Sequence, residues 1–133
     1  MPRARFFVSG FAVVAALAVS LLAGELLAQQ HTVTKVVAVA KPKTFLGPCP
    51  TEIQFIGTIF VSRHPVTVEY RWERSDGAIG ERQKVEIRSA GQGVYETWKL
   101  GAPGKHYRVW EKLHVLAPTG ISSAPAAAKV TCQ

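Results

Sequence analysis

Aspartate is almost missing from this chain: Asp76 is the single one among nine acidic residues. Any carboxylate pair for glycoside hydrolysis must therefore come from glutamates. Glu69 and Glu73 are the one pair on a shared strand face. Arg71 and Arg74 lie beside them, which reads as a solvated, charge-balanced face. Asp76 itself precedes Gly77, a turn-forming pair. Cysteine is nearly as scarce. Cys49 and Cys132 are the only two, and neither has a second Cys or a His at ligand spacing, so a structural zinc site is not expected. Gly-x-Ser-x-Gly is absent, and with it a nucleophile elbow. No phosphate loop or dinucleotide fingerprint is present. The four histidines are His31, His64, His106 and His114. His106 and His114 share strand parity but would stand about 26 Å apart on an extended strand, too far to share a metal. These absences exclude the common catalytic and cofactor chemistries, so the expectation is a protein that is not an enzyme, with no catalytic residues, no cofactor and no metal.

After residue 30 there is also no amphipathic helical pattern and no long apolar run. The one such run lies at the start, from Phe6 to about Ala23, behind Arg3 and Arg5 and ahead of small residues ending at Ala28. That is the layout of a secretory signal peptide, expected over residues 1–28. Leu26 sits where a smaller residue is preferred, and an uncleaved membrane anchor is the alternative. Residues 29–133 then form one domain, exported to a secreted, periplasmic or cell-envelope location. Formal net charge is +7. Arg3, Arg5 and Glu25 leave with the leader, and Lys35, Lys41 and Lys43 hold half of the +6 that remains. Residues 29–43 thus read as an extended basic linker or a first strand, and 44–133 as the folded unit.

What is there is alternation. Residues 66–74, VTVEYRWER, place Val66, Val68, Tyr70 and Trp72 on one face and Thr67, Glu69, Arg71 and Glu73 on the other. This is the period of a half-buried strand. Similar stretches occupy 33–40, 52–61, 84–89, 94–100, 106–116 and 126–132. In 52–61, Ile53, Phe55 and Ile59 share one parity and Ile56 and Phe60 the other, so both faces are expected to be covered, with a bulge at Gly57. TFLGPCP (44–50) and AGQG (90–93) read as punctuation. Trp98 and Leu100 face inward, with Glu96 on their parity near the strand mouth. Tyr107, Val109, Leu113 and Val115 share one face, with Trp110 on the other. Six or seven strands without a helix predict an all-β, two-sheet antiparallel β-sandwich. Tyr70, Arg71 and Trp72 interleave aromatic and basic residues, as a nucleic-acid stacking platform does. Their parity sends the aromatics inward, and no nucleic-acid role is expected.

LGAPGKHYRVWEKLHV (100–115) resembles the fibronectin type III signature through Leu100, Pro103-Gly104, Tyr107 and Val109. Tyr107 stands where immunoglobulin-like domains place their corner tyrosine, which would tie the preceding loop to its strand. Trp72 is similar to the core tryptophan of the third strand. YRWERSDGA resembles a motif of small bacterial secreted proteins of this shape. The resemblance covers residues 50–132 and implies the immunoglobulin-like or fibronectin type III-like sandwich, with Phe55, Tyr70, Trp72, Trp98, Tyr107 and Val109 in its core. The chain departs from antibody domains in lacking their inter-sheet disulfide.

Two cysteines in an exported chain suggest one disulfide. Strands 52–61 and 126–132 belong to different sheets and run oppositely, so the start of one and the end of the other share a pole. A Cys49–Cys132 bond would clamp the sheets there. The place of 84–89 is open: the short turn at 90–93 favours a hairpin with 94–100, whereas the fibronectin-like arrangement pairs it with 66–74. The functional expectation is a non-catalytic binding or adhesion module for a protein or glycan partner, touching a membrane only if the leader is retained. An inhibitor of a secreted enzyme and a tethered structural domain are the alternatives. The candidate contact loops are Arg63 and His64, and Thr119, Ile121 and Ser122 within 119–123.

Overall fold

A computed structural model of the protein describes residues 32–133. The expected leader, residues 1–28, and His31 lie outside the described residues. Nine strands follow one another: β1 Val33–Lys41, β2 Thr44–Gly47, β3 Thr51–Val61, β4 Val66–Arg74, β5 Gln83–Ile87, β6 Gly91–Leu100, β7 His106–Ala117, β8 Ile121–Ser122 and β9 Ala126–Cys132. One sheet has the order β1-β3-β6. The other runs β2-β9-β7-β4-β5, with β8 added to β7. The two sheets enclose one core, and the chain is an immunoglobulin-like β-sandwich.

The period-two pattern sets what is inside. Ile53, Phe55 and Ile59 of β3, Val68 of β4 and Leu113 of β7 are completely buried, with Tyr70, Trp72, Val94, Trp98, Val109 and Val130 around them. Each large apolar side chain removed from water in this way contributes about 1.5–3 kcal/mol. Tyr107 is half-buried and packs at the margin of this cluster. Its hydroxyl accepts a hydrogen bond from the backbone N–H of Ala102 at 3.0 Å, five residues upstream.

Cys49 and Cys132 form a disulfide with Cα atoms 5.4 Å apart, joining the approach to β3 with the end of β9. It links the two sheets at one pole. Gly101 lies against it with φ +109°, and a Cβ there would stand 2.8 Å from both sulfurs. Glycine is required at that position both by the backbone angle and by the contact.

Several expectations are corrected. Residues 44–47 are not punctuation. They form β2, paired in parallel with β9 from Thr44 opposite Lys129 to Gly47 opposite Cys132. The glycines of 91–93 are not a turn. They open β6, which matches β3 without interruption from Gly91 opposite Phe60 to Leu100 opposite Thr51. The Phe60 ring lies over Gly91, 3.3 Å from where a Cβ would be. Residues 83–87 therefore form no hairpin with β6. β5 pairs with β4, Val66 facing Ile87 and Val68 facing Val85, and the chain crosses between sheets at residues 88–90. This is the fibronectin-like arrangement. Gly57 marks no bulge, because β3 runs in register past it on both sides. A Cβ on Gly57 would meet Leu113 at 2.5 Å and Trp72 and Val94 at 3.1 Å, so the glycine makes room for the opposite sheet. The second face of β3 is not covered by another layer. Ile56 lies between Val39 and Tyr95 of the flanking strands, and both are well exposed.

Candidate functional site

The loops singled out from the sequence lie at the pole opposite the disulfide. Arg63 and His64 are exposed in the turn between β3 and β4. Thr119 and Ile121 are half-buried and Ser122 is exposed. The second loop is pinned. Ser123 is buried, accepts a hydrogen bond from the Leu113 N–H at 3.0 Å and donates its own to the Leu113 carbonyl at 2.9 Å. Ser122 Oγ lies 2.5 Å from His114 Nδ1, and His114 Nε2 lies 2.5 Å from Glu73 Oε2. Glu73 thus has His114 as its partner rather than a flanking arginine. This Glu-His-Ser chain fastens β8 across β7 to β4.

A more open site lies elsewhere, on the outer face of the larger sheet. Alternation along β7 that buries Val109 and Val115 sends His106, Arg108, Trp110, Lys112 and His114 outward. On β9 the same rule exposes Ala127 and Lys129. The register then builds rows. Trp110 faces Ala127, Arg108 faces Lys129, and His106 faces Thr131. Lys129 in turn stands beside Thr44 of β2, and its N–H donates to the Lys43 carbonyl at 2.9 Å.

Two depressions flank the Arg108–Lys129 row. One, of about 320 Å³, is lined by Lys43, Thr44, Arg108, Trp110, Ala127 and Lys129. The other, of about 420 Å³, is lined by His106, Arg108, Lys129 and Thr131. Ala127 is too small to cover the tryptophan from the β9 side. The strand beneath Trp110 is fixed, because its N–H donates to Ser75 Oγ at 3.1 Å and its carbonyl accepts from the Ser75 N–H at 2.9 Å. Lys112 Nζ lies 5.3 Å from the ring centroid.

Register distinguishes this row: Arg108 faces Lys129, whereas Lys84 faces Glu69, Lys112 faces Glu73 and Lys99 faces Glu52. Lys84 and Arg82 approach the Glu69 carboxylate at 3.3 and 3.8 Å, Arg88 meets Glu86 at 3.0 Å, and Arg74 meets Asp76 at 2.6 Å. Among the described residues, no ion pair forms at Lys43, Arg108 or Lys129. Like charges directly opposite on neighbouring strands destabilise a sheet. Here they are retained without compensation, and the groove can accept an anion.

Reasoning from the sequence overlooked this face, although the signal was available. Parity, applied to Tyr70, Arg71 and Trp72, separates the base from the aromatics. Applied to Arg108-Val109-Trp110, it puts base and aromatic on the same exposed side. The sequence reading sets Trp110 on the other face from Val109 without joining it to Arg108.

The interior holds a second polar feature that was missed. Glu111 shares the inward parity of Val109 and Leu113, is fully buried, and neither of its carboxylate oxygens has a hydrogen-bond partner among the described residues. Burial first, then the Glu96 carboxylate from the facing sheet, raise its pKa to about 7. Arg74 counteracts the shift, and Asp76 adds to it slightly. Arg74 lies on the inward parity of β4, its guanidinium 4.0 Å from the Trp98 ring centroid. Tyr70 is also pushed up by burial and by Glu96, and its hydroxyl donates to Gln83 Oε1 at 3.1 Å. This corner can hold a proton in the core. Among the described residues no group of three or more His, Cys, Asp or Glu stands together as metal ligands would.

Comparison with known proteins gives a fold and no more. No protein-family profile matches the chain, and no curated protein does. Among solved structures, the chain is similar to the CARDB domain of the PF1109 protein from Pyrococcus furiosus, solved in complex with di-metal ions. The TM-score is 0.53 and the sequence identity 10%, over 77% of this chain and 97% of that one. At that identity the likeness speaks to architecture alone, an immunoglobulin-like β-sandwich.

Proposed function

We propose that this protein is a non-catalytic binding module of an oxidising, extracytoplasmic compartment, and that it holds an anionic ligand on the outer face of its larger sheet. The observation that carries the reading is the Arg108–Lys129 pair, two cations opposite each other without a carboxylate, beside Lys43 and the half-buried Trp110. The disulfide supports the compartment. The residues that could do chemistry support the non-catalytic part. His114 is engaged on both ring nitrogens, and neither depression includes it, Ser122 or Glu73. The di-metal ions of the CARDB domain are not carried over, since at 10% identity the likeness concerns the fold alone.

The test must separate a site from general basicity. Arg108→Glu with Lys129→Glu is compared with Lys35→Glu and Lys99→Glu, which changes net charge equally on exposed positions of the smaller sheet. Titrated calorimetrically with polygalacturonate, poly-L-glutamate and single-stranded DNA, the groove variant is expected to lose more than about tenfold in affinity for whichever polyanion binds, and the control less than about twofold. Equal losses in the two variants contradict the proposal.

A further inference from the structure

Resting on that reading, we infer that the ligand is an extended acidic polysaccharide, lying along β7 and β9 with one sugar ring against Trp110 and its carboxylates over the Arg108–Lys129 row. Three features of the groove point to this class. First, it is long and bipartite. The Trp110 row and the His106 row are four residues apart, about 13 Å along the strand, with a depression at each end and the cations between. A small free anion would need the cations alone. A chain of rings fills both depressions and places charge at the middle.

Second, the cations lie across the strands. Lys129 stands between Arg108 on β7 and the Lys43–Thr44 step leading into β2, at the strand spacing of about 4.8 Å. Such a cluster meets charges repeated at every ring of a polyuronate, including those that alternate from side to side along the chain. Third, there is one aromatic. A single-stranded nucleic acid binds through successive stacked bases on several rings. Here Trp110 is the one aromatic on the face among the described residues, opposite an alanine, lining the first depression with Lys112 at its ring. One ring suits the apolar face of one sugar. An acidic peptide offers no flat face for it.

The molecule carries its own reporter. Of the three tryptophans, Trp72 is 2% and Trp98 8% exposed, so Trp110 is the one a ligand reaches. Intrinsic fluorescence of the full chain is followed during titration with an oligogalacturonate, a cello-oligosaccharide of equal length, poly-L-glutamate and single-stranded DNA. The expected result is a saturable change with oligogalacturonate, at least about fivefold tighter than with the other three, weakened by added salt. Trp110→Ala, followed by calorimetry, should weaken oligogalacturonate binding by at least about fivefold, and Trp110→Phe by less. Thermal melts of both variants establish that they fold, and the phenylalanine variant keeps the test valid if the alanine one does not. Equal binding of poly-L-glutamate or DNA, or an affinity unchanged in Trp110→Ala, overturns the polysaccharide and leaves the anion groove standing. Equal binding of the neutral cello-oligosaccharide overturns the role given to the cations. No binding of any anion overturns both readings.

Discussion

Glu111 carries a carboxyl group into a core whose other large members are apolar. Burial, with no hydrogen-bond partner among the described residues, raises its pKa in the fold to about 7 from the ordinary 4.5, so it keeps its proton in acid and loses it around neutrality. The direction of the linkage follows. A carboxyl whose pKa is raised by folding contributes no penalty below pH 4.5, where folded and unfolded chains both bind the proton. The penalty grows from about pH 4.5, where the unfolded chain releases its proton while the folded chain keeps it, and levels off above pH 7, where both have released it. Stability should fall between pH 4.5 and pH 8 by on the order of 3 kcal/mol from this group. Glu111→Gln should flatten that fall and raise stability at pH 8 relative to the parent. Urea denaturation of both proteins at the two pH values checks it, and parallel behaviour of the two would contradict the assignment. Glu111 was legible in principle. The alternation from Tyr107 to Val115 assigns it an inward place, but a glutamate among valines is read past, because such residues are seldom buried. Glu96 drew notice for the same parity, and the structure pairs the two across the sandwich. Trp110 escaped for the opposite reason: an outward tryptophan is unremarkable until its register partner is known to be alanine and its neighbours unpaired cations.

At the level of elements, strands with clear alternation fall where the pattern places them: 66–74 and 126–132 coincide with β4 and β9, and 106–116 with all but the last residue of β7. What local pattern could not supply was partnership. β2 is four residues between prolines, with Leu46 largely exposed, and it exists because β9 offers a free edge some 85 positions along the chain. β6 begins at glycines that resemble a turn until Phe60 is seen lying over Gly91. Gly57 is the sharpest case. A glycine in a strand suggested a bulge, whereas its actual role is set by Leu113 and Trp72 on the other sheet. Gly57→Ala should therefore overpack the sandwich and cost about 1–3 kcal/mol. Chemical denaturation measures this, and an unchanged midpoint would show that the opposing side chains have room to move.

Considered whole, the molecule is two sheets clamped at one pole, with the proposed binding groove on the outer face of the larger sheet. Cys49 and Cys132 are 83 positions apart, so their bond closes a loop that holds β3 to β9. In the chain-entropy picture, a closed loop of that size is worth about 4.5 kcal/mol, a large share of the roughly 5–15 kcal/mol typical of a domain. The Cys49→Ser, Cys132→Ser double variant should lose stability on that scale in denaturant titration, and a loss under about 1 kcal/mol would mean the sheets hold together without the clamp. Sandwich modules commonly bind through loops at a pole, and Arg63, His64 and Thr119–Ser122 occupy such a pole here. The structure pins the second of these loops through Ser123 and His114, while leaving Arg108, Lys129 and Trp110 unpartnered by carboxylates on the sheet face. Residue-resolved amide shifts during titration with oligogalacturonate distinguish face from pole most directly. The account predicts changes centred on Arg108, Trp110, Ala127 and Lys129, with 63–64 and 119–122 unmoved. Changes centred on those loops, with β7 and β9 silent, would contradict it.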